Sequence, residues 1–184
     1  MITLAAAVQP FVILGDAIWI DFVNTGRGTG PVMDRLVDLN AYLQWTRLEK
    51  LPPDDPPVPF PDIMEFRERL TSLAKAISAQ KQAPSGAIHA INAILGLSTG
   101  YHQLTRVQGS WRTVFTPVRA STAVDAIARS AAVTLSDPEA IVRQCSGQAC
   151  NLFFVDSSPN HSRRWCSGAT CGKQLRVDRR RTAR

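Results

Sequence analysis

All four cysteines of the chain fall within its last forty residues, and they fall as two equal pairs. The first reads Cys145-Ser-Gly-Gln-Ala-Cys150 and the second Cys166-Ser-Gly-Ala-Thr-Cys171, with fifteen residues between them. Two short loops, each ending in thiols, can bring four soft ligands to one tetrahedral ion. Zinc suits that donor set, at metal–sulfur distances of about 2.3 Å. The other use of four clustered cysteines is disulfide bonding, which belongs to exported proteins. The N-terminus, Met1-Ile-Thr-Leu-Ala-Ala-Ala-Val-Gln-Pro10, has no basic start, and Pro10 interrupts it before a cleavage site. A signal peptide is therefore not expected. The expectation is a cytoplasmic protein with one structural Zn²⁺ on Cys145, Cys150, Cys166 and Cys171. Four thiolates leave no open position for water, so this zinc would serve folding rather than catalysis. They also make His161, which lies between the pairs, surplus as a ligand.

Charge separates the same region from the rest. Residues 141–184 hold nine Lys/Arg and two Asp, a net of +7, whereas residues 1–140 hold twelve Lys/Arg and thirteen Asp/Glu, a net of −1. Zinc with four thiolates carries −2, which leaves about +5 on the C-terminal part. A near-neutral body with a basic tip points to a polyanionic partner, most economically a nucleic acid. The competing reading is a solvated basic terminus. No apolar run reaches the roughly 18–20 residues that a membrane span needs.

Periodicity makes the body mainly α-helical with one small β-hairpin. The segment Ala17–Thr25 is apolar on nearly all sides except Asp21 and Asn24, which suits a short buried helix or, less readily, a strand. A helix over 38–50 is expected, capped by Asp38, with Leu39, Tyr42 and Leu43 inward. Six prolines between 51 and 61 make an extended connection. Asp62 with Glu65 reads as a capping box for a helix bearing Ile63, Phe66, Leu70, Leu73 and Ile77 in one stripe. Ser85 is expected to cap the next helix, with Ile88, Ile91 and Leu95 inside. Residues 101–107 and 111–118 read as a hairpin across Gln108-Gly109-Ser110. Ser121 opens a last helix with Val124, Ile127, Ala131 and Leu135 inward, ended by Asp137-Pro138. Between the cysteine pairs, Leu152–Val155 reads as a strand that turns at 157–160 to lead back to the second pair. After Cys171 a basic helix is expected, with Lys173, Arg176, Arg180 and Arg184 roughly on one face.

These residues resemble a known family. Cys145…Cys150, Phe154-x-Asp156-x-Ser158, Arg163-Arg164-Trp165-Cys166-Ser167 and Cys171-Gly172 follow the pattern of CGNR-type zinc fingers. That family carries an N-terminal ABATE domain, described as a stress-induced transcription regulator. The body is similar to it: Asp21-Phe22-Val23-Asn24-Thr25 matches an Asp-Phe-x-Asn-Thr motif, and Leu39, Leu43 and Trp45 resemble the tryptophan-bearing helix that follows. Ile91-Asn92-Ala93 and Ile127-Ala128-Arg129-Ser130-Ala131 fall where the family has similar segments. The resemblance implies an ABATE-like helical domain over 1–140 and a small four-cysteine zinc finger of hairpin and basic helix over 141–184. One departure stands out: where the family reads Cys-Gly-Asn-Arg, this chain reads Cys171-Gly172-Lys173-Gln174. Ligand and glycine are kept, but the contacts of the asparagine and arginine do not carry over.

The functional expectation is a zinc-finger transcription regulator that binds DNA, with a body that senses a small-molecule effector or forms a homodimer. Arg163, Arg164, Lys173, Arg176, Arg179, Arg180 and Arg181 are the candidate nucleic-acid contacts. Asp21, Asn24 and Thr25 are polar groups in an apolar segment, read either as caps and turn formers or as the lining of an effector pocket. Phosphate loop, dinucleotide fingerprint and nucleophile–base constellation are all missing from the sequence, so an enzyme is not expected. The alternative function is a zinc-stabilised protein-docking or small-molecule-binding protein that does not touch DNA.

Overall fold

The computed structural model describes residues 11–28, 33–169 and 171–172. At its centre lies α1 (Ile18–Asn24), six of whose seven residues are buried. Trp19, Ile20 and Phe22 are wholly enclosed, and the segment is a helix packed against α3 (Phe60–Ser78), α5 (Ala123–Ser136) and β4 (Phe153–Asp156). Around it stand α2 (Leu39–Leu48), α3 (Phe60–Ser78), α4 (Ser85–Leu97) and α5 (Ala123–Ser136).

The helices start where local chemistry satisfies their unpaired N–H groups, and not always where the sequence pattern places them. Asp38 caps α2 as expected, accepting from Ala41 N at 2.8 Å. Helix α3 begins earlier than Asp62, with Pro61 in its first turn, where a missing N–H costs nothing. The capping box is instead at α5: Thr122 Oγ1 accepts from Asp125 N (3.1 Å) while the Asp125 carboxylate accepts from Thr122 N (3.0 Å). Ser85 lies inside α4 as its first residue rather than capping it. The stripe Ile63, Phe66, Leu70 and Leu73 on α3 is buried. On α2 the inner face is Tyr42, Trp45 and Thr46, so Leu39 is left exposed. On α5 Leu135 turns outward and Thr134 inward, where it accepts a hydrogen bond from Trp19 Nε1 at 3.0 Å.

The first hairpin, β1 (Gly100–Val107) with β2 (Ser110–Pro117), closes through Gln108 and Gly109. Both have positive φ (50° and 84°), the primed turn whose twist matches the strands and which glycine makes easy. Almost all of its residues are exposed, Trp111 among them at 66%. Trp19 and Trp45 are core; Trp111 is not.

The second hairpin pairs β3 (Ile141–Gln144) with β4 (Phe153–Asp156), so it encloses the first cysteine pair. The sequence pattern alone suggests a hairpin running from 152–155 towards the second pair. The chain does turn at 157–160, with Ser158 O accepting from His161 N at 2.9 Å, and Ser158 also bonds the buried Asp156 carboxylate. Strand β4 is buried along its whole length, and its side chains alternate. Phe153 and Val155 belong to the body's core, while Phe154 packs with Leu152 and the cysteines. One strand is therefore a wall shared by body and finger. Among the described residues, no helix is long and apolar enough to cross a membrane.

Candidate metal centre

The four cysteines converge although 26 positions separate the first from the last. Their sulfurs all lie within 4.8 Å of one another. Cys150 and Cys166 Sγ are 3.8 Å apart, and Cys166 and Cys171 Sγ 3.7 Å. These are far longer than the about 2.05 Å of a disulfide. A tetrahedral ion at about 2.3 Å from each sulfur needs sulfur–sulfur edges of about 3.8 Å. The residues present thus fit one zinc ion. Cys145, Cys166 and Cys171 are buried and Cys150 half-buried, which leaves no broad approach for a substrate.

Backbone amides complete the site. Cys145 Sγ accepts from Cys166 N (3.3 Å) and Gly147 N (3.4 Å), so each knuckle is fastened to the same sulfur. Burial opposes ionisation of Cys145, yet these N–H groups and the neighbouring thiols hold it below the ordinary thiol range. Burial and the negative Cys145 push Cys150 up to about 12, and burial with both neighbours pushes Cys166 up as well. Four sulfurs this close cannot all ionise on their own; a divalent cation supplies the missing charge and releases the protons. Gly147 is part of the cradle. A Cβ there would stand 3.1 Å from Cys150 Cβ and 3.2 Å from Cys171 Sγ, so any side chain would press on the cysteines and require them to give by a few tenths of an ångström.

The second cysteine pair is held by Asp156 and Arg163. Asp156, fully buried, accepts from Ser158 N and Oγ (3.1 and 2.6 Å), Arg143 Nε (2.9 Å) and Arg163 N (3.1 Å). Burial alone would raise its pKa, but these donors outweigh it and keep the carboxyl below its ordinary value. The Arg163 guanidinium lies 4.6 Å over the Phe154 ring and donates to Trp165 O, Cys166 O, Val155 O and Asp16 Oδ1. Arg163 is thus engaged within the protein. Arg164 beside it is exposed, 6.0 Å above the Trp165 ring. Lys173, Arg176, Arg179, Arg180 and Arg181, with the helix expected for them, lie outside the described residues.

The polar residues of α1 divide between two tasks. Asn24, fully buried, donates from Nδ2 to Phe153 O and accepts at Oδ1 from Phe153 N, both at 2.9 Å. Its amide thus pairs β4 as a neighbouring strand would. Thr25 donates to Phe22 O (2.6 Å) and accepts from Arg67 Nη1 (3.0 Å), while Arg67 also pairs with Asp34. Neither residue borders the cavity beside α1. Asp21 does: its carboxylate caps the N–H groups of Leu14 and Gly15 (2.8 and 2.9 Å) and borders a cavity of about 550 Å³.

Several connections have no signature in the local sequence. Arg27 donates to Asn151 O at 2.6 Å and lies 4.4 Å over Phe153. Gly28 and Asn151 exchange two further hydrogen bonds. Val12 and Leu14 pack against the cysteine cluster, so segment 11–16 touches both the finger and the cavity. Nothing in the local pattern marks Asn151, or Glu49, which borders the same cavity as Asp21.

Comparison with known proteins agrees with this architecture. The family model for ABATE, described as "Putative stress-induced transcription regulator", matches residues 16–138, and the CGNR zinc finger matches residues 142–184. No curated protein matches the chain. With two thirds of its length matched by the first model and its four thiols gathered as the second requires, the chain belongs to the ABATE family and ends in a CGNR zinc finger.

Proposed function

We propose that this protein is a zinc-dependent DNA-binding regulator, without catalytic activity, whose body adjusts the finger in response to a small molecule. The observation that carries this reading is the excess of positive charge in the finger's sequence, from which only Arg143 and Arg163 are seen to be engaged within the protein. Arg143 is satisfied by Asp156 and the His161 carbonyl, and Arg163 by Asp16 and three carbonyls. The remaining cations are Arg164, Lys173, Arg176, Arg179, Arg180, Arg181 and Arg184, opposed in sequence only by Asp178. A basic stretch of sequence directly after a metal-binding knuckle suits the phosphate backbone. The family description supports the same reading. A homodimer would present two fingers to a two-fold site.

If five or six of these residues meet phosphates, log K for a duplex falls against log salt with a slope near −5. Arg176→Ala with Arg180→Ala should flatten that slope by about 2 and weaken binding to all sequences alike. Titration of labelled duplex at several salt concentrations reads both. A salt-independent or undetectable complex rejects the proposal.

A second reading, in which the finger docks on the body and binds no nucleic acid, is favoured by one observation: β4 is part of the body's core. It expects no duplex to bind at any salt concentration. Selection from a random duplex pool with and without chelator separates the two readings, because only the first yields chelator-sensitive enrichment.

A further inference from the structure

The cavity beside α1 has a chemistry of its own. It lies between α1, the end of α2 and α5, and its volume of about 550 Å³ suits a small organic molecule. Ala17, Ile18, Ala126 and Val133 provide an apolar wall. The charged groups that face it are Asp16, Asp21, Glu49 and Arg129. Asp16 is paired with Arg163. Asp21 is almost wholly buried, and among the described residues its carboxylate is met by two backbone amides alone. Glu49 Oε1 is shielded from solvent with no hydrogen-bond partner among the described residues. A buried carboxylate oxygen without a donor is costly, and a second carboxylate near it adds repulsion.

We propose that this cavity binds an organic ammonium ion, with the charged nitrogen at Glu49 and Asp21 and the apolar part against Ile18, Ala126 and Val133. An ammonium group supplies the donors that Glu49 lacks and places one positive charge against the two acids. A metal ion fits less well, because two carboxylates fall short of the 6–8 oxygens calcium gathers, and the remaining wall is apolar. Arg129 at the exposed side carries no ion pair among the described residues, so a ligand that also bears a carboxylate has a counter-charge there. Simple amines and zwitterionic amino acids share the chemistry recognised at Glu49. Burial pushes Asp21 up to about 6, and burial with the Asp21 charge pushes Glu49 up to about 7. Affinity for an ammonium ion should therefore rise as pH passes from below 6 to above 7.

This gives the effector half of the proposed function a chemistry. It is tested on the zinc-loaded protein without DNA, so failure to bind DNA leaves it standing. The probes are benzylamine, benzyl alcohol, benzoate and phenylglycine. The readout is the indole N–H resonance of Trp19, whose hydrogen bond to Thr134 lies at the cavity wall. Benzylamine should give a saturable shift, with benzyl alcohol and benzoate weaker by about tenfold or more. Glu49→Gln, which keeps the shape, should weaken benzylamine by about tenfold above pH 7 and remove much of the pH dependence. Ala126→Leu, which fills the cavity without touching the carboxylates, should block all probes. Phenylglycine binding tighter than benzylamine assigns the natural ligand to the amino-acid class, and weaker binding assigns it to the amines. The proposal is overturned by equal affinity for the alcohol and the amine, by unchanged benzylamine affinity in Glu49→Gln, or by no saturable shift with either ammonium probe.

Discussion

Asn24 shows how much can depend on one side chain. Its amide satisfies both the N–H and the C=O of Phe153, 129 residues away, in a place sealed from water. Asn24→Ala would leave both groups buried and unpaired, at a cost of about 2–4 kcal/mol. The loss should appear in urea unfolding as a lower midpoint. A loss below about 0.5 kcal/mol, the size of an ordinary surface change, would show that the pairing does not hold the finger to the body. Asn24 is visible in the sequence as a polar residue in an apolar segment, but its partner is not. Loop closure between distant strands leaves no local mark. The cysteines are the opposite case, because metal chemistry needs only ligand type and spacing, and both can be read directly from the chain.

At the scale of elements, α1 and the C-terminal end of α2 bring Asp21 and Glu49 to the same cavity. Both carboxyls titrate higher in the folded protein than in the unfolded chain, about 6 and about 7 against 3.8 and 4.5. Between the unfolded and folded values the native state binds more protons, so stability is greatest below the unfolded values and declines as pH rises through 6 to 7. Asp34, Asp125 and Asp156, held below the ordinary carboxylate value, act at more acid pH and do not mask this window. Zinc binding displaces thiol protons and so adds stability as pH rises, which makes the carboxyl contribution a difference. The thermal midpoint of the zinc-loaded protein minus that of zinc-loaded Glu49→Gln should fall between about pH 5.5 and 8. A difference that stays constant or rises across this window would contradict the assignment. The helices themselves are legible from their 3–4 residue stripes. Their capping is less so: Asp62 and Glu65 spell a capping box, yet Pro59 and Pro61 start α3 earlier and the box forms at Thr122 and Asp125.

Across the whole molecule, the finger is not a separable appendage. The family models meet between residues 138 and 142, but β3 and β4 pack against α3 and α1, with Val142, Phe153 and Val155 in the body's core. Zinc binding should therefore stabilise the entire fold, since a ligand that binds only the native state shifts the unfolding equilibrium of everything that unfolds with it. Calorimetry with and without chelator should show one transition that moves to lower temperature when zinc is withdrawn. Two transitions, with only the smaller sensitive to chelator, would mean that body and finger fold independently. The segment 11–16 strengthens the connection, because Val12 and Leu14 touch the cysteine cluster while Gly15 and Asp16 border the cavity. Occupancy of the cavity and the set of the finger share that stretch of backbone.

Sequence alone determined the four thiol ligands, the helical stripes, the charge imbalance and the family, because each depends on residue type at short spacing. Tertiary structure decided which polar groups find partners far away. It turned Arg163 from a free cation into a clamp, gave Asn24 a strand to pair with, and left Glu49 facing a cavity without a donor. Burial and long-range pairing are properties of the closed chain, and no local pattern carries them.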